Sequence, residues 1–226
     1  MRFPHAEGSV HVRALATDYD GTIARNGRID REVRKALERL RAAGISIVLV
    51  TGRIYRDLQT VAGDLSLFDA VVAENGAILT FPRGGRSIRL AAPPPADFLL
   101  ELRKGGFSFD TGECIVAMSA SVAGEVDEII RRRALPLVEI FNGESLMVLP
   151  EGTDKATGLR HAFAALRLDA DHAIGIGDAQ NDHVLLDACG IGVAVPWATP
   201  CLKARADIVL EGSWPDSIVD FIEGLE

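Results

Sequence analysis

The chain has few of the residues that build sites by cross-linking. It holds three cysteines, Cys114, Cys189 and Cys201, far apart and odd in number. That excludes a disulfide framework and a cysteine-based zinc spacing, and it fits a reducing cytoplasm. The five histidines show no paired metal spacing. Long apolar runs are missing too, since stretches such as Ile45 to Val50 are far too short to span a bilayer. The start, Met1 to Gly8, lacks the apolar segment of a secretory signal. Basic excess is absent: 24 Lys and Arg face 32 Asp and Glu, a net charge of −8. A nucleic-acid surface needs a basic stripe, so no nucleic-acid partner is expected. Phosphate ligands remain open, because a local cation or metal can offset the global sign.

What is present is an ordinary globular balance. Of 226 residues, 48% are hydrophobic and 25% charged, enough for one large domain or a domain plus a smaller one. The first third alternates strand-like runs with helical periodicity. Val12 to Thr17 reads as a strand. Residues 30–43 read as a helix, with Val33, Ala36, Leu37 and Leu40 at i, i+3, i+4, i+7 and Gly44 as its stop. Ile45 to Val50 is a continuous apolar run, typical of a strand buried on both faces. A helix over 53–62 and a strand over 69–73 complete βαβαβ, which implies a parallel sheet.

The middle changes character. Arg83-Gly84-Gly85-Arg86 reads as a hairpin turn, 87–90 as an alternating strand, and Pro93-Pro94-Pro95 as a stiff break. A helix (96–104), a strand (114–119), a helix (124–133) and a hairpin (138–149) turning at Asn142-Gly143 follow. The last third returns to α/β: a helix over 154–166, a strand over 172–176, a helix over 181–188, strands over 191–195 and 208–210, and a helix over 217–225. The expected fold is a doubly wound, Rossmann-like parallel sheet core, residues 1–81 and 151–226, interrupted by a smaller α+β insert, residues 82–150.

Ligands of open parallel sheets bind beyond the carboxyl ends of the strands. After the first strand come Asp18 and Asp20. Two carboxylates with no basic residue beside them repel, and need a cation or a proton; oxygen ligands of this kind suit magnesium. After the second strand come Thr51, Gly52 and Arg53; after the third, Glu74-Asn75-Gly76; after the strand over 172–176, Asp178, Asn181 and Asp182. Lys155 supplies a cation where the chain re-enters the main domain. It sits in the first turn of a helix, against the macrodipole, and a residue placed against its local preference is a functional candidate.

Each residue alone has a plainer reading. Asp18 and Asp20 are a strand-end turn, Thr51 a helix cap, Lys155 a solvated lysine, Asp182 an early-helix acid. Gly175-x-Gly177 lacks the third glycine of a dinucleotide loop. Arg131-Arg132-Arg133 reads as a solvated helix end, with gripping of an anionic substrate as the sharper alternative.

In order, Asp18-Tyr19-Asp20-Gly21-Thr22, Thr51-Gly52-Arg53, Lys155 and Gly177-Asp178-x-x-Asn181-Asp182 resemble the four motifs of the haloacid dehalogenase superfamily. They look most like its magnesium-dependent phosphatases, and an insert between the second and third motifs resembles the Cof-like, type IIB capped branch. The resemblance implies an insert acting as a cap and a small phosphate ester as substrate, a phosphosugar or a phosphoglycolate-like molecule. It implies Asp18 as nucleophile and Asp20 as proton carrier, with neighbouring carboxylates raising the Asp20 pKa. It places Mg2+ on Asp18, the Asp20 carbonyl and Asp178, with Asp182 behind them. It implies phosphate contacts from Thr51, Gly52 and Lys155, with Asn181, Asn75 and Arg53 near the substrate. The rivals are a phosphomutase on the same core, a signalling receiver module, which is shorter and has its phosphoacceptor after a later strand, and a catalytically silent binding protein on the same fold.

Overall fold

The computed structural model describes residues 11–225; the start at Met1 to Gly8, where no secretory signal is expected, lies outside them. Among the described residues the strands form one eight-stranded sheet, one four-stranded sheet and one two-stranded hairpin. The large sheet runs Ile208–Val209, Ile191–Ala194, Ala173–Gly177, Ala14–Thr17, Ser46–Val50, Ala70–Ala73, Ile78–Phe81, Arg86–Arg89. Its first six strands are parallel. Ala14–Thr17, Ala70–Ala73 and Ala173–Gly177 are buried along their whole length. This is why they read as unbroken apolar runs: helices cover both faces of a parallel sheet, so no solvent face imposes alternation. The helix Arg31–Ala42 shows the opposite logic. It buries Val33, Ala36, Leu37 and Leu40 on one stripe, and the Asp30 side chain caps it by accepting the Glu32 N–H.

Several expectations shift. The sequence places 87–90 in the insert, yet Arg86–Arg89 pairs with Ile78–Phe81 in the large sheet. The tight reversal at Pro82–Gly84 and Gly85 returns the chain beside the strand it has just left, and the Thr80 and Ser87 hydroxyls bond across the pair at 3.0 Å. Ile78–Phe81 itself, Phe109–Thr111 and the hairpin of Ala24–Arg25 with Arg28–Ile29 have no counterpart in the sequence reading. Each is too short to show a period. The hairpin of the insert turns at Gly143-Glu144, because Asn142 and Ser145 still face one another as a pair. The helix expected over 181–188 begins as a 3-10 turn, Gln180–Asp182, before His183–Asp187.

The smaller sheet runs Leu137–Asn142, Ser145–Pro150, Val116–Ser119, Phe109–Thr111, antiparallel throughout. On one face it packs on two helices, Ala96–Lys104 and Ala123–Arg133. Phe98, Leu102, Val126 and Ile130 meet Val116, Leu146 and Val148 in an apolar cluster of their own. The register puts Ile140, Met147, Ala117 and Asp110 in one cross-strand row on the other face. That face looks onto the carboxyl edge of the large sheet, where Ile115, Met147 and Leu149 join the main apolar core. No described helix is long and apolar enough to cross a membrane.

Candidate active site

The carboxyl ends of four neighbouring strands converge as the topology requires. Asp18 leaves Ala14–Thr17 with its amide still donating to the Ile176 carbonyl, so the sheet fixes its backbone. The turn that follows is held by the buried Tyr19, whose hydroxyl donates to the Gly27 carbonyl at 2.9 Å. Gly21 has φ +78°, and a Cβ there would fall 2.2 Å from Asp178 Oδ2. Only glycine lets the first turn approach the Asp178 carboxylate this closely. The Trp197 indole locks the same turn by donating to the Gly21 carbonyl at 2.5 Å. The Arg25 guanidinium lies 4.8 Å from the ring centres of both Trp197 and Trp214, tying the small hairpin to the C-terminal loops.

Lys155 opens the helix Lys155–Leu166, and Asp154 caps it in a reciprocal pair with Thr157. Its ammonium is buried, 2.5 Å from Asp18 Oδ1 and 2.5 Å from Asp182 Oδ1. Burial works against that charge, but the two carboxylates outweigh it and hold Lys155 above its ordinary pKa. Burial also drives Asp18 well above the carboxylate range, with Asp182 and Asp178 adding to the shift and Lys155 opposing it. Burial, with the nearby Asp182 charge, pushes Asp178 up to about 6. Carboxylate oxygens of Asp18, Asp178 and Asp182 lie within 4.8 Å of one another. One ammonium does not balance three acids in so small a volume. A hard divalent cation fits the donor set and would favour the charged forms of all three.

Asp182 is already engaged. One oxygen holds Lys155; the other accepts the amides of Asp178 and Ala179, each at 3.0 Å. Its geometry is that of an orienting group behind Asp178 and Lys155.

The sequence sets only carboxylates beside Asp20. The structure corrects this: the Arg53 guanidinium grips both Asp20 oxygens, at 2.5 and 2.7 Å. Such a fork-to-carboxylate pair is the geometry the planar guanidinium favours. Thr51 is buried, and its hydroxyl accepts the Arg53 amide at 3.2 Å. Asn75, at φ +54°, donates its amide to the Thr51 carbonyl. Its side-chain Oδ1 lies 3.9 Å from where a Cβ on Gly52 would stand. This oxygen is buried without a hydrogen-bond partner among the described residues, as are both polar atoms of the Asn181 amide. Buried polar groups are normally paired, so the open Asn181 NH2 fits a ligand oxygen, while Asn75 Oδ1, an acceptor, fits a donor such as a ligand hydroxyl or a bound water.

Glu74 escapes sequence reading. It is 1% exposed, with φ +51°, and its carboxylate crosses to the insert. There it accepts the amides of Glu113, Cys114 and Ile115 at 3.0, 2.8 and 3.2 Å. Its own amide donates to the Arg53 carbonyl. One side chain thus joins the 51–53 loop to the insert backbone. The only trace in the sequence is an acid after a strand, which usually faces solvent.

A cavity of about 250 Å³ lies between the two sheets. Asp18, Asp20 and the 51–53 loop form its floor; Asp110, Ala117, Asn142, Ser145 and Met147 of the insert form its roof. The Met147 sulfur comes within 2.9 Å of a Cβ position on Gly52, so the roof touches the floor at that point. Arg131 pairs with Asp127, and Arg132 and Arg133 pair with Glu101 at 3.0 and 2.9 Å. The basic cluster of the insert is therefore taken up on the helix layer, away from the cavity, and the substrate-gripping alternative falls.

Residues 15–88 and 114–222 match the family model of haloacid dehalogenase-like hydrolases. A phosphoglycolate phosphatase of Natronomonas pharaonis is 30% identical over 95% of this chain and 97% of its own. A phosphoglycolate phosphatase of Methanosarcina acetivorans is 28% identical over 95% of this chain and 96% of its own. Among solved structures, a sugar phosphatase of subclass IIB superposes with a TM-score of 0.76. It is 21% identical and covers 95% of this chain and 100% of its own, and shows the shared fold.

Proposed function

The chain belongs to the haloacid dehalogenase-like hydrolase family, and on that footing we propose that it is a magnesium-dependent phosphatase. Its substrate is a small phosphorylated metabolite, a phosphosugar or a phosphoglycolate-like ester, and its intermediate an aspartyl phosphate. The observation that carries this is the floor of the cavity: Asp18 held against the buried Lys155, beside Asp178, under a roof supplied by the insert. The relatives' names point the same way. Residues 82–150, less the strand returned to the large sheet, act as the cap. Three free cysteines and the absence of a membrane-crossing helix among the described residues fit a cytoplasmic enzyme.

Asp18 attacks phosphorus, forming an Asp18 O–P bond as the ester P–O bond breaks. Asp20 delivers a proton to the departing alcohol oxygen. It then takes one from the water that attacks the aspartyl phosphate, which frees inorganic phosphate and the Asp18 carboxylate. To do so it must loosen from Arg53, and an incoming phosphate competes for that guanidinium. Thr51, the Gly52 amide, Asn181 and Lys155 hold phosphoryl oxygens, Lys155 meets the charge that grows on them, and Asn75 lies near the substrate. Magnesium on Asp18, Asp178 and the Asp20 carbonyl would add positive charge and fix the phosphoryl group in line. Asp182 orients Lys155 and the Asp178 loop. Met147 and its strand shut out bulk water.

The test is phosphate release from a panel of phosphate esters. Release with magnesium, loss on chelation with EDTA and return on adding magnesium are expected. Turnover that survives EDTA would refute the metal site. Accumulation of an isomerised phosphate ester without free phosphate would establish a phosphomutase, and no turnover on any ester a silent binding protein.

A further inference from the structure

We propose that the roof of the cavity selects a leaving group that carries hydroxyls and rejects one that carries a carboxylate, with Asp110 as the residue that decides. The proposal rests on the phosphatase reading above and narrows its substrate class to the phosphosugar alternative, setting this chain apart from the relatives named phosphoglycolate phosphatase.

The charges available to a leaving group can be counted residue by residue. Once phosphate occupies the floor, the leaving group must face the roof. There the insert offers the Asp110 carboxylate, the Asn142 amide, the Ser145 hydroxyl and the apolar Ala117 and Met147. Asp57, in the first turn of Tyr55–Ala62, adds a second carboxylate from the core side. Arg53 is the one cation among the described residues that line the cavity, and both its contacting nitrogens are on Asp20. Lys155 is enclosed by Asp18 and Asp182. Arg56 lines a neighbouring crevice with Gln59 and Glu113. The arginines of Ala123–Arg133 are paired with Asp127 and Glu101 on the far face of the sheet.

A carboxylate on the substrate would thus meet two like charges on Asp110 and Asp57, while the one lining cation, Arg53, is already committed to Asp20 or, in the reaction above, to the phosphate. Hydroxyls would meet acceptors in Asp110 and Asp57, and groups that both donate and accept in Asn142 and Ser145. Sites that hold small anions place a guanidinium or ammonium on them, and this roof places none. Asp110 holds its position by register: it pairs with Ala117, which pairs with Met147, directly over Gly52.

Two matched pairs of esters isolate the effect. Glycerol 3-phosphate and 3-phosphoglycerate differ only by a hydroxymethyl group exchanged for a carboxylate, as do 2-hydroxyethyl phosphate and 2-phosphoglycolate. With the unmodified enzyme and magnesium, kcat/KM is expected to favour the alcohol at least about tenfold in both pairs, which is 1.4 kcal/mol, mainly through KM. Asp110→Lys is expected to shrink that ratio at least roughly tenfold, and Asp110→Asn by less. Each ratio is internal to one protein preparation, so a change in folded fraction cancels. An unmodified enzyme that handles the carboxylates equally or better overturns the proposal. So does an unchanged ratio in both variants. p-Nitrophenyl phosphate separates the two levels. If it is hydrolysed while carboxylates are preferred, only the selectivity fails. If neither it nor any other ester is hydrolysed, the phosphatase reading fails and the selectivity with it.

Discussion

The floor and the roof of the cavity are built by different rules. On the floor the charged groups around Asp18 are buried and held by named partners: Asp18 by Lys155, Lys155 by two acids, Asp182 by two amides and Lys155. On the roof Asp110, Asn142 and Ser145 are exposed, the first on a three-residue strand and the other two beside a hairpin turn. Charge chemistry needs groups that do not reorganise when the reaction begins, and burial supplies that. Substrate choice needs only a surface of the right polarity, and an exposed strand end can change without loss of the fold.

The sharpest way to break this contrast is to remove the proposed nucleophile, Asp18. Asp18→Asn keeps the shape of the side chain and deletes its ability to displace the ester oxygen. Turnover of every ester, p-nitrophenyl phosphate included, is expected to fall at least about 10⁴-fold, the scale seen when a covalent nucleophile is lost. The far-ultraviolet circular dichroism should be unchanged. Substantial turnover in this variant would move the chemistry elsewhere.

Lys155→Met tests the rule of burial itself. It leaves Asp18 and Asp182 buried without their counter-charge, and breaking such a pair costs about 3–5 kcal/mol. Arg132→Ala is the matched change on the insert. It removes an ion pair whose arginine is 56% exposed, and is expected to cost no more than about 1 kcal/mol. Urea unfolding of the two variants gives both numbers. Equal losses would mean that the floor and the insert are not held differently.

The same contrast explains what could be read from the chain. Asp18, Thr51, Asn75 and Asp178 are legible because the strands before them are buried on both faces, and an unbroken apolar run marks its own end. Lys155 is legible because it opposes the helix dipole. Arg53 on Asp20 is not, since nothing in a period of two or 3.6 says where a loop arginine turns. Glu74 is hidden for a stronger reason. Its positive φ reverses the direction a strand-following residue normally takes, and its partners are backbone amides, which have no sequence signature. The roof is hardest to read. Phe109–Thr111 has three residues and an exposed polar face, too little for periodicity to register, yet it carries Asp110.

Glu74 is where the two regions meet, so it sharpens the comparison most finely. Glu74→Gln keeps the length and one acceptor oxygen but turns an NH2 donor toward amides that can only donate. With the NH2 in place of Oε2 the buried Cys114 and Ile115 amides lose their partner, and in place of Oε1 the part-buried Glu113 amide does. The expected cost is about 1–3 kcal/mol, less than for Lys155→Met because no charge is stranded. Hydrogen exchange locates the effect: protection should drop at Cys114 and Ile115 and stay unchanged at Asp18 and Ile176. If the insert is positioned through this joint, KM for esters that reach the roof should rise several-fold, while kcat for p-nitrophenyl phosphate should change less. A uniform loss of protection through both sheets would instead make Glu74 a general stabilising residue. Unchanged exchange at 114–115 would show that the roof is seated over the floor by its apolar contacts, Met147 and Leu149 among them, without this carboxylate.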